Sequence, residues 1–421
     1  MFKSKIKLNF YPMQLIIAAI MILLPMTIIL QRITGLDLFD YLDEVWSIFC
    51  IVYVFIAAIQ RKINRSDIVF LVVLVVTEFI ALLGNIIFGI CKDWFAIAVD
   101  ALSLFKVFLP FIVMKYIGQK DRQMFIAKYM LPFAKLLVLA STLFGILTEL
   151  GFAHMYKAEE RYGLKAFFFI FDSEPRFGYI IACCMLVILL VEKSRSKEII
   201  YSVLCIFNMV LTTKGSVYMV FICYIGFLIL WRKQSKMTAI QALPLALATT
   251  AASTLQINTY LKDAQSPRML FLKYGFVTAN KYFPLGSGFA TYGSDMAKRV
   301  YSPLYYEYKF NKVYGMSQKR DMFLTDNYFA MIFGQFGYIG TALFGVLMVI
   351  MFRTINNINI YKRAKALTLA MLIGLLISSL GSAIIKMNIG VLCVSLMGLA
   401  CGYSNHEVNK ESTSTRLRIH L

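Results

Sequence analysis

Long apolar runs separated by short polar segments occupy almost the whole chain. About twelve of these runs approach the ~20 residues that an α-helix needs to cross a bilayer. They begin near Met13, Val45, Ile68, Phe95, Leu131, Phe177, Ile199, Val217, Thr238, Tyr328, Ala366 and Ile389. Barrel strands would alternate apolar and polar residues, and these runs do not. The pattern therefore predicts an all-α integral membrane protein with about twelve transmembrane helices.

One polar interruption is much longer than the others and lies between the ninth and tenth predicted spans. It is basic and rich in tyrosine, and it divides the chain into four parts. We predict nine helices with short loops in residues 1–255, a long external loop in 256–325, three helices in 326–405 and a cytoplasmic tail in 406–421. The long loop is where we expect chemistry on a large anionic substrate.

The composition favours a membrane protein over a soluble one. Hydrophobic residues make up 59% of the 421 residues and charged residues only 16%, and the mean hydropathy is +0.70. A net charge of +20 suggests nucleic acid in a soluble protein, but here most basic residues lie in short loops, so no nucleic-acid partner is expected. The eight cysteines have no metal-binding spacing, which predicts no metal site among them. We also expect no cofactor.

The distribution of basic residues between the loops predicts the orientation of the chain. Every second loop is basic, as expected for the cytoplasmic side. These loops contain Lys3, Lys5, Lys7, Arg61, Lys62, Arg65, Lys115, Lys120, Arg122, Lys128, Lys193, Arg195, Lys197, Arg232, Lys233, Lys236, Arg353, Lys362, Arg363, Lys365, Lys410, Arg416 and Arg418. Both termini are then cytoplasmic and the long basic loop is external. An external loop that breaks the positive bias favours binding of an anion.

Several ionisable residues lie inside the apolar runs, where charge is costly and commonly functional. Glu78 lies in the third predicted span, and Asp100 and Lys106 lie in the fourth. We expect Glu78 and Lys106 to form an ion pair between neighbouring helices. A proton relay is the alternative, although no regular ladder of acidic residues and histidines is present.

A break between two apolar runs at residues 211–216 contains Lys214. This lysine either reaches towards the membrane surface from a helix end or lies at a Gly-Ser helix start that suits phosphate oxygens.

The motifs, taken in order, resemble those of the O-antigen polymerase/ligase superfamily (Wzy and WaaL). The Thr-Thr-Lys-Gly-Ser break at 212–216 is followed by Arg268 and by Pro-Leu-Gly-Ser-Gly-Phe at 284–289. The apolar phase resumes with Asp-Asn-Tyr at 326–328 and continues into Gly-Gln-Phe-Gly-Tyr-Ile-Gly at 334–340. The resemblance covers roughly residues 200–350 in motif and the whole chain in span count and topology.

The resemblance implies a GT-C-like glycosyltransferase at the outer face of the bacterial plasma membrane. Its substrate would be an undecaprenyl-diphosphate-linked oligosaccharide, without nucleotide sugar or metal. A polymerase of this superfamily transfers the growing glycan to the next lipid-linked repeat unit, whereas a ligase transfers the finished glycan to lipid A core. The further expected partners are the lipid bilayer, a chain-length regulator and a flippase.

Two positions depart from the superfamily pattern. Lys214 replaces the usual arginine, which keeps the charge but loses the bidentate geometry for phosphate. Asp326 occupies the position at which ligases typically carry histidine. The second departure favours polymerase over ligase.

Transfer of a glycan from a diphosphate lipid requires positive charge near the leaving diphosphate. Arg268, Arg176 and Lys214 lie at predicted external membrane boundaries, and Arg161 and Lys273 are the next candidates. Each of them could instead be a solvated cation or a contact to lipid headgroups. Arg268, which belongs to the motif set, is the strongest candidate.

The acceptor hydroxyl requires a base close to the membrane face. Asp326 is the first choice because it opens a helix and matches the motif position, although aspartate before a helix is also a common N-cap. His154, Glu159 and Glu160 in the smaller external loop are alternatives.

The segment containing Pro284, Gly286 and Gly288 predicts a tight turn. It is either structural or a backbone nest for phosphate or sugar. The tyrosines of the long loop could stack on sugar faces or form an interfacial belt; they are Tyr260, Tyr274, Tyr282, Tyr292, Tyr301, Tyr305, Tyr306, Tyr308 and Tyr314.

We therefore expect a polysaccharide repeat-unit polymerase acting at the external face. The first alternative is an O-antigen or related glycan ligase. The second, of a different class, is a transporter for lipid-linked oligosaccharides, which would predict paired repeats and broken helices with charges at the midplane. No convincing internal repeat is visible in the sequence.

Overall fold

The computed structural model describes residues 12–117, 123–161, 163–231 and 266–402. About 75% of these described residues are helical. Seven of the described helices are long and apolar enough to cross a membrane, and two shorter apolar helices accompany them. The protein is therefore a multi-pass helical membrane protein. The predicted ninth span near Thr238 and residues 256–265 of the long loop lie outside the described residues.

Helices occupy each predicted apolar run within the described residues. In the first half of the chain they are α1 Pro12–Leu23, α2 Thr27–Thr34, α3 Leu42–Ile59, α4 Arg65–Phe88, α5 Trp94–Ile117, α6 Gln123–Glu149, α7 Glu174–Val191, α8 Arg195–Leu211 and α9 Gly215–Leu230. The later helices are α10 Pro267–Lys281, α11 Asp295–Arg299, α12 Pro303–Glu307, α13 Tyr328–Asn356, α14 Lys362–Ser378 and α15 Asn388–Gly402. The count of twelve crossings stays a prediction.

A small antiparallel hairpin in the shorter predicted external loop departs from the all-α expectation. It consists of β1 Tyr156–Arg161 and β2 Leu164–Phe167. Gly163 between the strands has a φ of +73°, which favours glycine. Phe167 is fully buried and lies against Gly145 of α6, beside Leu211 of α8. The hairpin is stable because its second strand packs on the helix bundle, and such a contact is not visible in a short polar segment of sequence.

The core of the bundle is built from a few extensive helix pairs. α14 packs along α9, α6 along α7, and α3 along α5. Nearly every side chain of α7 is buried, so α7 lies at the centre of the described helices. Gly178 of α7 lets the helix approach Val217 of α9 closely, because a Cβ at Gly178 would lie 2.3 Å from Val217 Cγ2.

The described part of the long loop is a folded layer with its own aromatic core. Tyr292 stacks on Phe271 with ring centroids 4.8 Å apart, and its hydroxyl donates to the Phe271 carbonyl at 2.5 Å. Tyr305 and Phe310 are fully buried beside them. These tyrosines stabilise the layer by burying large aromatic surfaces. The expectation that they stack on sugars is therefore wrong for Tyr292 and Tyr305.

α13 is folded into two arms rather than continuous. Gly337 has φ +59° and ψ −158° in the middle of it. The rings of Tyr328 and Phe344 lie 5.9 Å apart, although a straight helix would separate residues 328 and 344 by about 24 Å. The chain therefore reverses direction at Gly337. The tenth predicted span, expected to begin at Tyr328, instead consists of a short arm to Phe336 and a long arm from Tyr338.

Candidate functional site

The turn at residues 284–288 fills the break between the two arms of α13. The Pro284 carbonyl accepts the N–H groups of Tyr338 at 3.1 Å and Ile339 at 3.4 Å. In return, the N–H groups of Ser287 and Gly288 donate to the carbonyls at residues 334 and 335, at 2.8 and 3.0 Å. The turn thus supplies partners for backbone groups that a broken helix would otherwise leave unpaired.

Side chains from α4, α5 and α13 hold the far side of this turn. Asn85 donates to the Phe289 carbonyl at 2.9 Å and accepts the Phe289 N–H at 2.6 Å. Asp100 Oδ2 accepts from the Ala290 N–H at 2.6 Å and from Gln335 Nε2 at 2.8 Å. Three elements of the bundle therefore fix the position of the turn.

The turn is a structural one and does not offer its N–H groups to an anion. Gly286 and Gly288 have φ values of +82° and +89°, as expected where the chain needs a left-handed conformation. The backbone N–H groups of residues 286 to 290 all donate to acceptors in the protein. The alternative of a phosphate nest around Pro284, Gly286 and Gly288 is therefore wrong.

Arg268 and Asp326, the two predicted catalytic residues, form an ion pair across 58 positions of sequence. Arg268 Nε and Nη2 donate to Asp326 Oδ2 at 2.9 and 2.7 Å. Their side chains are 29% and 23% exposed, so the pair lies partly accessible between the start of α10 and the start of α13. The ring of Phe323 lies 5.8 Å from the guanidinium carbon and supports its orientation.

The N-cap of α13 is Asn327 and not Asp326. Asn327 Oδ1 accepts the N–H of Ala330 at 2.9 Å, which satisfies one of the free donors of the first turn. The alternative role of Asp326 as an N-cap is therefore wrong. Its carboxylate is turned to Arg268 instead.

Arg176 and Lys214 occupy helix starts that lie next to each other. Arg176 is in the first turn of α7, and its Nη1 donates to Asp172 Oδ1 at 2.5 Å. Lys214 immediately precedes α9, and within the described residues its ammonium group has no hydrogen-bond partner. The close contact between Gly178 and Val217 brings these two helix starts together.

A chain of hydrogen bonds brings the starts of α7 and α13 to the same end of the bundle. The hydroxyl groups of Tyr179 and Ser378 lie 2.6 Å apart, and the Ser379 carbonyl accepts the N–H of Tyr328 at 3.0 Å. The end of α14 therefore lies between the two helix starts. Arg176, Lys214, Arg268 and Asp326 all lie at this end. The N-termini of α7, α9, α10 and α13 lie at this end as well, and their helix dipoles add partial positive charge there.

The remaining predicted site residues lie at less specific positions. Arg161 ends β1 and is half-buried, and Lys273 is exposed on α10. His154 is exposed beside the ring of Tyr156. Glu160 is exposed, and the side chain of Glu159 lies outside the described residues.

The predicted pair between Glu78 and Lys106 is wrong. Lys106 Nζ donates to Asp43 Oδ2 at 2.6 Å and to Glu44 Oε1 at 2.8 Å, both on α3. Glu78 is 8% exposed, and neither of its oxygens has a partner within the described part of the chain. Lys106 prefers α3 because that helix packs directly along α5.

Lys386 and Asp295 form a further ion pair, and neither of them was selected as a site residue from the sequence. Lys386 is 4% exposed and its Nζ donates to Asp295 Oδ2 at 2.7 Å. The ammonium group of Lys386 lowers the pKa of the Asp295 carboxyl below its ordinary value. The only sequence signal for this ion pair is the position of Lys386 between two apolar runs. The sequence does not indicate its partner, because Asp295 lies 91 positions away.

Comparison with protein-family models and with curated proteins gives no match to this chain. Among the described residues, no cluster of three or more His, Cys, Asp or Glu side chains could hold a metal ion.

Proposed function

We propose that the chain is a polysaccharide repeat-unit polymerase of GT-C type at the outer face of the bacterial plasma membrane. It would transfer the growing glycan from its undecaprenyl diphosphate carrier to the next lipid-linked repeat unit. The observation that carries the proposal is the ion pair in which Arg268 Nε and Nη2 both donate to Asp326 Oδ2. These residues come from two of the motifs on which the resemblance rests, and each had been selected for its own chemistry.

The leaving diphosphate needs a field of fixed positive charge as the glycosidic bond to it breaks. Lys214, Arg176 and Arg268 lie at one end of the bundle, at the starts of three helices whose dipoles add to their charge. The ammonium of Lys214 has no acceptor within the described residues, so it is available to a phosphate oxygen. Arg176 and Arg268 each bind a carboxylate, Asp172 and Asp326 respectively.

The acceptor hydroxyl needs a base that removes its proton as it attacks the anomeric carbon. Asp326 has one carboxylate oxygen held by two hydrogen bonds from Arg268, which fixes the orientation of the carboxylate. Its second oxygen, Oδ1, receives no hydrogen bond from the described residues. In the proposed step the acceptor O–H transfers its proton to Oδ1, the new glycosidic bond forms, and the diphosphate leaves with the bonding electron pair.

The test is the glycan chain length in cells that carry variants of the protein. Arg268→Ala and Asp326→Asn should each leave single repeat units in place of long chains, by loss of charge stabilisation or of the base. Arg268→Lys should reduce chain length less, because it keeps the charge but not the two hydrogen bonds to Asp326 Oδ2. Immunoblotting of membrane fractions checks that each variant is present at the normal level.

Lys312→Ala is the matched control, because Lys312 is exposed in the same folded layer and should leave chain length unchanged. Normal long chains in both Arg268→Ala and Asp326→Asn would refute the proposal. Full-length lipid-linked polymer that never reaches its acceptor would indicate a ligase. Accumulation of repeat units on the cytoplasmic leaflet would indicate a transporter.

A further inference from the structure

A groove of about 750 Å³ opens on the side of the bundle between α3 and α4, with α5 as its floor. Its walls include Phe55 of α3, Val72 and Val75 of α4, and Leu109 of α5. Arg61 is its one charged lining residue. The groove therefore combines a long apolar wall with a cation at one end.

The groove exists because α3 and α4 pack on different partners. α3 packs along α5, whereas the main partner of α4 is α13. The gap between them is open to the surroundings, since the side chains of Phe55, Val72 and Val75 are 66%, 54% and 56% exposed. In a membrane this opening faces lipid.

The groove lies away from the candidate functional site. It runs beside the first half of α4, which begins at Arg65, whereas Asn85 at the other end of α4 holds the turn at residues 284–288. By the predicted topology the groove lies in the cytoplasmic leaflet. A ligand in it is therefore separate from the proposed glycan transfer.

The length of the groove fits a chain confined to one leaflet. Its α4 wall extends from Ile68 to Val76, which is about 12 Å at the rise of an α-helix. Half of a typical hydrocarbon core is about 15 Å. A fatty acyl chain has this reach, whereas a long polyisoprenoid chain would extend well beyond the groove.

The end of the groove near Arg61 is suited to an anionic headgroup. Arg61 has a φ of +52° in the loop after α3, and Lys62 and Arg65 beside it are also exposed. Asp67, the carboxylate nearest in sequence, is already bound by Lys115 Nζ at 2.8 Å. A guanidinium group binds a phosphate with two parallel hydrogen bonds, and the two flanking cations add attraction for anionic lipid.

We propose that the groove between α3 and α4 is a specific site for an anionic diacyl phospholipid. The phosphate binds Arg61, and the acyl chains lie along the wall formed by Phe55, Val72 and Val75. The lipid fills a gap that helix packing leaves open, and it thereby fixes α3 relative to α4.

The test is native mass spectrometry of the full-length protein, purified from its membrane in mild detergent. Wild-type protein should retain one phospholipid. Arg61→Gln removes the charged contact and Val75→Trp fills the groove, and each should lower retention by about tenfold or more, as expected from the loss of a charged hydrogen bond or of the space. Delipidated wild-type protein should regain thermal stability on addition of phosphatidylglycerol and not of phosphatidylcholine.

Matched controls separate a specific site from general lipid adsorption. Val69→Trp places the same side chain at a 56% exposed position of α4 outside the groove, and Lys193→Gln removes an exposed cation elsewhere. Both should retain the lipid as wild type does. Equal retention in Arg61→Gln, Val75→Trp and the controls would overturn the proposal. So would one bound polyisoprenyl phosphate or neutral lipid in place of the phospholipid.

Discussion

Replacing Gly337 with alanine should unfold the junction between α13 and the turn at residues 284–288. A Cβ at Gly337 would lie 2.3 Å from the Gly286 nitrogen and 2.5 Å from the Pro284 oxygen, and backbone atoms cannot rotate away as a side chain does. The φ of +59° with ψ of −158° costs a residue with a Cβ about 1–3 kcal/mol. Overpacking adds about 1–3 kcal/mol. The free energy of unfolding should therefore fall by about 2–6 kcal/mol.

Gly345→Ala is the matched control, because Gly345 lies in the long arm of the same helix and a Cβ there meets no atom within 4 Å. Alanine is favoured over glycine in a helix by about 1 kcal/mol, so this variant should be as stable as wild type or slightly more stable. Denaturant-induced unfolding in detergent micelles, followed by circular dichroism, measures both variants. A midpoint for Gly337→Ala equal to that of Gly345→Ala would show that the turn does not fill the break.

Two further predictions concern ion pairs. Lys106→Met should lower the free energy of unfolding by about 3–5 kcal/mol, because it removes the ammonium partner of Asp43, whose side chain is 2% exposed; Lys62→Met should have little effect in the same denaturation assay, since Lys62 is exposed. Asp295→Asn should be less stable than wild type at neutral pH, because Lys386 lowers the folded-state pKa of Asp295 below 3.8. That difference should be complete above pH 3.8 and should disappear as the pH falls through the lowered pKa. A difference that persists at lower pH would exclude the ion pair as its cause.

The spans and their approximate limits were predictable from the sequence alone, because burial in lipid requires long apolar runs whatever the partner helices are. The starts of α4, α7, α9 and α14 lie within four residues of the predicted positions. The start of α6 lies further from its prediction, since polar residues at Gln123 and Lys128 precede the apolar run. Hydropathy does not detect a helix that begins before its apolar part.

The sequence identified both members of an ion pair only where each residue belonged to one of the recognised motifs. Arg268 and Asp326 were each chosen for their chemistry, and the structure pairs them. Glu78 and Lys106 were matched because their helices are consecutive, but Lys106 binds α3 instead. Sequence order does not say which helix faces which. The pair of Asp295 and Lys386 was missed for the same reason.

The sequence by itself determined that the chain is a helical membrane protein, where most of its helices lie, and which residues carry charge near their ends. These properties follow from local apolar length and from residue type. The tertiary structure alone decided that α13 reverses at Gly337, that the turn at residues 284–288 fills the break, and that the tyrosines around Tyr292 form a core. Each depends on backbone atoms from distant segments meeting at hydrogen-bonding distance, and a linear pattern of apolar and polar residues does not encode which distant segments meet.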